Sequence, residues 1–175
     1  MRRTMAAMAV VMLAGLSGGA AITWGQHDHG AGHAGGHQAA QTCASEFDKV
    51  VGEGRGFGMA FAADQNGYPG PMHVLELKGR LALSAEQEAT MQQLMHAMFA
   101  ESKPKSARLL AAETRLRRLF AERAADAAAV RAAVDEVERA RSEVRLVHLL
   151  THLKTRDLLT EDQRRIYHEA RWGGR

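Results

Sequence analysis

Cysteine and aromatic residues are scarce in this sequence, and each scarcity excludes a class of protein. The chain has 175 residues and one cysteine, Cys43, so no disulfide framework can form within it. In an oxidising compartment this thiol either pairs between chains or stays unpaired in a loose segment, and the sequence leaves both open. Aromatic residues make up 5% of the chain, whereas Ala, Leu, Glu and Arg dominate its second half. This composition favours long helices over a sheet.

Acidic residues are missing before Asp28, and this absence explains most of the net charge of +3. Arg2 and Arg3 are two of the 23 basic residues, so the rest of the chain carries 21 basic against 20 acidic side chains. In the second half Arg alternates with Glu and Asp, a pattern typical of a solvated helix face. The positive charge therefore does not indicate a nucleic-acid partner.

Catalytic patterns do not stand out either. The sequence shows no Ser–His–Asp, Cys–His or paired-carboxylate arrangement, and its acidic residues are spread along helix faces. The stretch GEGRGFGMA, residues 52–60, has glycine at every second position and no predicted strand before it, which is not the spacing of a phosphate loop. We predict that the protein is not an enzyme and that this stretch is a loop.

The first 25 residues resemble a targeting segment. A basic MRR is followed by an apolar run, residues 5–16, and by small residues at 17–21 where a signal peptidase could cut. The alternative is an uncleaved membrane anchor, which the Gly and Ser residues of the run disfavour. Both alternatives place the body of the protein outside the cytoplasm, in the periplasm.

Two short motifs mark helix starts in the body of the chain. LSAEQ (residues 83–87) and LTEDQ (residues 159–163) each place Ser or Thr three residues before Gln, the spacing of a capping box. Between them the sequence predicts a long helix that Pro104 bends or briefly breaks, and a second long helix from Ala127 to about Leu158 that Asp126 caps. A short helix follows to Trp172.

The fold class predicted from this order is all-α. Two long helices joined by a short reversal should lie antiparallel, giving a helical hairpin domain at residues 72–172 after a loop-rich segment with short helices at residues 44–71. A lone hairpin cannot bury both faces of its helices, so a homodimer or a pairing with another protein is favoured over a monomer. The apolar stripe of the second long helix is Val130, Val134, Val137 and Val144.

Four of the nine histidines lie in HDHGAGHAGGH, residues 27–37. This stretch belongs to a low-complexity segment, residues 26–43, which is predicted to be a disordered, flexible arm when no ligand is bound. A spacing of four would align three of these histidines on a helix, but the intervening glycines argue against one. The arm either chelates a metal weakly or is a solvated linker. Its histidines are His27, His29, His33 and His37.

A second histidine pair lies in HLLTH, residues 148–152, on the second long helix. His148 and His152 are four residues apart, so both imidazoles point the same way and can reach one metal ion. Two ligands are too few for tight binding, and the arm histidines could supply the rest. The alternative is a buried neutral pair that hydrogen-bonds within the helix packing. A stripe of methionines at 91, 95 and 98 favours core packing over a soft copper site. The remaining histidines, at 73, 96 and 168, are treated as surface or capping residues.

The signal segment, the hairpin and the two L-[ST]-x-x-Q boxes resemble the Spy/CpxP-type periplasmic proteins. These include stress chaperones, zinc-resistance-associated proteins and heavy-metal sensors. The resemblance covers about residues 73–172, and the stretch GRGFGMAFAADQNGYPGPMHVLEL is similar to a segment before the hairpin of sensor-like members. It implies a non-enzymatic protein, commonly a dimer with a curved hairpin.

The resemblance also implies the candidate functions. Some members bind zinc, nickel, cobalt or copper, and the sensors use His pairs four apart on a helix with ligands nearer the N-terminus, which HLLTH matches. The leading hypothesis is a heavy-metal-binding stress, resistance or sensor protein that binds one of these ions through His148 and His152 with help from the arm. Some members restrain a membrane-bound signalling partner, so such a partner is also possible for this chain. The alternative is an ATP-independent chaperone that holds unfolded clients on an apolar surface.

Overall fold

Helices make up all the regular secondary structure that the structure describes. A computed structural model describes residues 33–173, the first eight of them by their backbone alone, and contains no strand in this range. Its helices are α1 (His33–Gly52), α2 (Phe61–Asp64), α3 (Pro71–Glu76), α4 (Ala85–Ala121), α5 (Ala127–Asp157) and α6 (Glu161–Trp172). None of these helices is long and apolar enough to cross a bilayer. The prediction of an all-α fold is confirmed.

Helices α4 and α5 form the predicted hairpin. Asp126 caps α5, since its carboxylate accepts hydrogen bonds from two backbone N–H groups of the first turn. The ion pairs Arg108–Glu143 and Arg115–Glu136 cross between the helices, and the partner's number falls as the arginine's number rises. The two helices are therefore antiparallel. Their buried contact is a cluster that also includes the end of α1: Val51, Leu109, Ala112, Val137 and Val144.

Two details of the hairpin sharpen or correct the prediction. Of the predicted bend or break at Pro104, the break does not occur, and α4 is continuous through this residue. Proline removes one backbone hydrogen bond, but packing continues on both sides, where Met98 and Leu109 are buried. Val134 is 40% exposed and does not belong to the core stripe. The helical repeat rotates it by about 60° from the line of Val137, which faces α4.

The two capping boxes form as predicted. Ser84 Oγ accepts from the N–H of Gln87 at 3.1 Å, and Gln87 Oε1 accepts from the N–H of Ser84 at 3.0 Å. Thr160 and Gln163 repeat the arrangement at the start of α6, at 3.2 and 2.9 Å. Each box thereby satisfies two N–H groups that a helix start leaves without partners.

The two glutamines of these boxes also bond to each other. Gln87 Nε2 donates to Gln163 Oε1 at 2.9 Å, and Gln163 Nε2 donates to Gln87 Oε1 at 3.0 Å. Their second amide hydrogens reach the carbonyls of Leu158 and Leu81. The start of α4 is thus held against the start of α6. An apolar cluster beside this pair joins α3, α4 and α6: Val74, Leu81, Met91, Leu159 and Tyr167.

Helix α1 begins earlier than the sequence predicted. The helix begins at His33, whereas the sequence predicted a short helix from Ala44 only. Its C-terminal half is held by packing of Phe47 and Val51 against the hairpin and by a two-contact ion pair between Asp48 and Arg117. Alanines before this anchored half favour continuation of the helix, and they outweigh the cost of the two glycines at 35 and 36.

Candidate metal centre

His148 is held on α5 by a buried hydroxyl of α4. Its Nε2 lies 3.3 Å from Ser102 Oγ, and that hydroxyl donates its only hydrogen to the carbonyl of Gly54 at 2.8 Å. Ser102 therefore accepts from His148, so Nε2 carries the hydrogen of the neutral ring. The lone pair of the ring is then on Nδ1.

His152 has the opposite arrangement one turn further along α5. Its Nδ1 lies 2.6 Å from the carbonyl oxygen of Tyr68, which can only accept, so Nδ1 carries the hydrogen and Nε2 the lone pair. Arg156 lies 4.9 Å from the centre of the Tyr68 ring and helps to hold that residue in place. A backbone carbonyl that fixes the other ring nitrogen is the usual support of a metal-binding histidine.

Both imidazoles are buried, and burial keeps them neutral. Removal from water lowers the pKa of His148 from 6.5 to about 4, with a smaller contribution from the charge of His152. Burial also lowers the pKa of His152, against the opposing effects of the Tyr68 carbonyl and the negative charge of Asp64. A neutral imidazole is the form that binds a metal ion, so no proton has to leave at neutral pH.

Two glycines allow the chain to approach these rings. A Cβ atom on Gly56 would lie 3.0 Å from carbon atoms of the His148 ring, and one on Gly70 would lie 2.8 Å from Nε2 of His152. The stretch GEGRGFGMA is a loop, as predicted. One of its glycines, Gly56, is needed for this close approach to His148. Only a residue without a side chain fits against each imidazole.

The two histidines line one cavity of about 310 Å³ between α5, the middle of α4, the end of α6 and the segment that precedes the hairpin. Its wall combines apolar and aromatic residues with two methionines and three charged side chains. Its lining includes Arg55, Phe57, Phe61, Asp64, Met72, His73, Met98, Phe99, His148, His152 and Arg171.

A buried polar network that the sequence did not predict forms another part of the cavity wall. Asp64 is 5% exposed, and its two carboxylate oxygens accept from Tyr167 Oη at 2.5 Å and from Arg171 Nε at 2.8 Å. Burial and the neighbouring carboxylate raise the pKa of Tyr167, so it stays a donor. The network fixes α6 against α2.

His73, which the sequence analysis treated as a surface or capping residue, also belongs to this network. Arg171 Nη2 lies 3.0 Å from His73 Nε2, and arginine can only donate, so Nε2 accepts. Nδ1 then donates to Glu76 at 2.9 Å. The sequence signals for this network were weak. Asp64 is a charged residue after an apolar turn, and Arg171 lies in the last turn of α6.

The arm histidines lie away from this cavity or outside the described residues. His27 and His29 belong to the residues that the structure does not describe. Helix α1 carries His37 and His33 roughly 20 and 26 Å along its axis from Val50, which lines the cavity. The turns of α1 between His37 and Val50 line a separate, open cleft of about 620 Å³, whose lining includes the exposed Cys43. No group of three or more His, Cys, Asp or Glu residues close enough to hold a metal ion occurs within the part of the chain that is described.

Comparison with protein families places the chain in a known family. A family model described as heavy-metal resistance matches residues 56–165, which include the cavity, the hairpin and both capping boxes. That family is related to the Spy/CpxP-type periplasmic proteins, so the resemblance carried by the capping boxes is confirmed. Its members are typically extracytoplasmic, and it is a non-enzymatic resistance and binding family. No curated protein and no solved structure matches the chain.

Proposed function

The chain belongs to the heavy-metal resistance family, and on that premise we propose that it is a periplasmic, non-enzymatic protein that binds a transition-metal ion through His148 and His152. The ion is of the zinc, copper, nickel or cobalt class. One observation carries the proposal: each of these imidazoles uses one nitrogen to donate a hydrogen bond inside the protein, and both rings line the same cavity.

The hydrogen bonds of the pair support ligation and do not compete with it. Nε2 of His148 and Nδ1 of His152 are the donors, which leaves Nδ1 of the first ring and Nε2 of the second with lone pairs. A buried pair that served packing alone would need no common cavity, whereas both of these rings line one. The alternative, a purely structural pair, predicts that no metal ion binds to these two histidines.

Metal binding by the arm histidines stays a prediction, but the role that we propose for them changes. Since α1 leads away from the cavity, His33 and His37 cannot share an ion with the pair while α1 keeps its helix. We therefore propose that His27, His29, His33 and His37 form a separate and weaker chelating segment that raises the local metal concentration. Deletion of residues 27–37 should then remove weak binding and leave the binding at the cavity.

Calorimetric titration of the mature, metal-free protein with zinc, copper(II), nickel and cobalt tests the proposal. The double variant His148→Ala/His152→Ala should lose the tighter binding, with circular dichroism to show that it folds. The matched control is His96→Ala/His168→Ala, which changes two exposed histidines outside the cavity. Absence of heat with every metal, or equal binding by the cavity variant and wild type, would overturn the proposal.

A second candidate function, the ATP-independent chaperone, is favoured by the outer face of α5. Around the histidine pair, the polar side chains of Thr151 and Thr155 on α5 are buried, whereas its leucines are exposed. Leu146, Leu150 and Leu153 are 55%, 47% and 47% exposed. Three leucines at helical spacing form an apolar strip that a client or a second copy could cover. If the metal-free protein does not slow the aggregation of a denatured client, measured by light scattering, the chaperone candidate fails.

A further inference from the structure

We propose that the ion this cavity selects is a soft monovalent one, copper(I) or silver(I), and that the thioethers of Met98 and Met72 complete its coordination. The proposal rests on the function proposed above, because it assumes that His148 and His152 are ligands. It starts from the donors that the cavity offers to an entering ion beside the two imidazoles.

The harder donors of the cavity are already engaged. Both carboxylate oxygens of Asp64 accept hydrogen bonds, from Tyr167 and from Arg171. His73 uses Nε2 to accept from Arg171 and Nδ1 to donate to Glu76. Each of these oxygen and nitrogen atoms already has a partner, so an ion that recruited one of them would weaken or displace a charge-assisted hydrogen bond.

The remaining donors are soft. Met98 is 8% exposed and Met72 is half-buried, and both line the cavity with the two histidines. Met72 Sδ has one weak contact, with Arg55 Nη2 at 3.7 Å. Two imidazole nitrogens with two thioether sulfurs form a donor set that suits copper(I), whereas zinc, nickel and cobalt favour additional nitrogen, carboxylate or thiolate ligands.

The charge of the wall favours the same ion. Among the lining residues, Asp64 is paired with Arg171, and Arg55 has its acidic partner, Glu53, outside the cavity. No lining carboxylate is therefore left to balance a metal ion. The Born cost of transfer from water grows with the square of the charge, so a divalent ion faces about four times the cost of a monovalent ion of equal size.

The aromatic wall strengthens this effect. Phe57, Phe61 and Phe99 line the cavity and offer an entering ion no charge or hydrogen-bond acceptor, although Phe57 and Phe61 are themselves 41% and 49% exposed. Methionine is also a common filler of apolar cores, and Met91 has that role here, because it is fully buried in the cluster that joins α3, α4 and α6. Met98 differs from Met91 because it lines the cavity together with His148 and His152. The experiment therefore has to test whether the sulfur of Met98 binds the ion.

The test is a competition between the full mature chain and a chromophoric copper(I) chelator under anaerobic, reducing conditions. Met98→Leu and Met72→Leu keep the apolar volume and remove the sulfur. Each should weaken copper(I) binding at least about tenfold, the lower end of what loss of even an outer-shell partner costs a metal site. The matched control is Met95→Leu, on the same helix but outside the cavity lining, which should bind as wild type does. Zinc binding, measured in parallel, should be the same in all four proteins.

The outcomes separate this inference from the proposed function. If the wild type binds copper(I) and loses it on His148→Ala but keeps it in both methionine variants, the thioether inference is wrong and the histidine site stands. Tighter binding of zinc than of copper(I) to the wild type would also overturn the inference alone. Copper(I) and zinc binding that is absent, or unchanged by His148→Ala/His152→Ala, would overturn both.

Discussion

Acidification should weaken the fold through His148. The pKa of His148 is about 4 in the folded protein against an ordinary 6.5, chiefly because burial disfavours its charged form. The unfolded chain therefore takes up this proton at a higher pH, and the free energy of unfolding falls as the pH drops below 6.5. At about 1.4 kcal/mol per pH unit, the interval between the two pKa values corresponds to a loss of roughly 3 kcal/mol, which is complete near pH 4.

Urea unfolding of the metal-free protein at pH 7, 6, 5 and 4 measures this loss. The variant His148→Gln removes the titrating group and keeps an amide that can donate to Ser102. The difference in unfolding free energy between wild type and variant should move by roughly 3 kcal/mol in favour of the variant from pH 7 to pH 4. His96→Gln, at an exposed position, serves as the control and should follow wild type. If the curves for wild type and His148→Gln stay parallel within about 0.5 kcal/mol over this range, the reasoning from burial is refuted.

Three further changes test other parts of the structure. Gly70→Ala should displace the neighbouring imidazole, since the new Cβ would lie 2.8 Å from its Nε2, and should weaken metal binding by about tenfold or more in calorimetry; Gly79→Ala, where a Cβ meets nothing, should not. Gln163→Ala should lower the free energy of unfolding by roughly 2–3 kcal/mol in urea titrations, because buried partners lose their hydrogen bonds, and a loss below about 0.5 kcal/mol would contradict the paired boxes. If the homodimer expected from the sequence forms through the exposed leucines of α5, Leu150→Glu should convert it to monomers in sedimentation analysis, and a wild type that is already monomeric would contradict the dimer.

The helical body could be predicted from the sequence because its signals are local. Ser84, Asp126 and Thr160 cap the helices that follow them, and a cap depends on the next three residues only. The predicted start of α1, at Ala44, was wrong for the opposite reason. Docking of Phe47 and Val51 against the hairpin stabilises this helix, and local composition carries no information about that contact.

The candidate site was predictable in part. The spacing of His148 and His152 places them on one face of α5. Their partners, at Ser102 and Tyr68, are 46 and 84 residues away in sequence, so only the fold brings them together. The same holds for the network of Asp64 with Arg171, separated by 107 residues. Pairing of the two glutamines was also missed, although both motifs were recognised, because each box is complete on its own.

The central claim is that an ion enters the cavity and binds specific nitrogens of His148 and His152. A long-range proton–nitrogen correlation spectrum of the histidine side chains, recorded with and without zinc or silver(I), observes those nitrogens directly. We predict that the signals of His148 Nδ1 and His152 Nε2 shift on addition of the ion, while Nε2 of the first ring and Nδ1 of the second keep their hydrogens. Shifts confined to the exposed His96 and His168 or to the arm, with the cavity pair unchanged, would contradict the account.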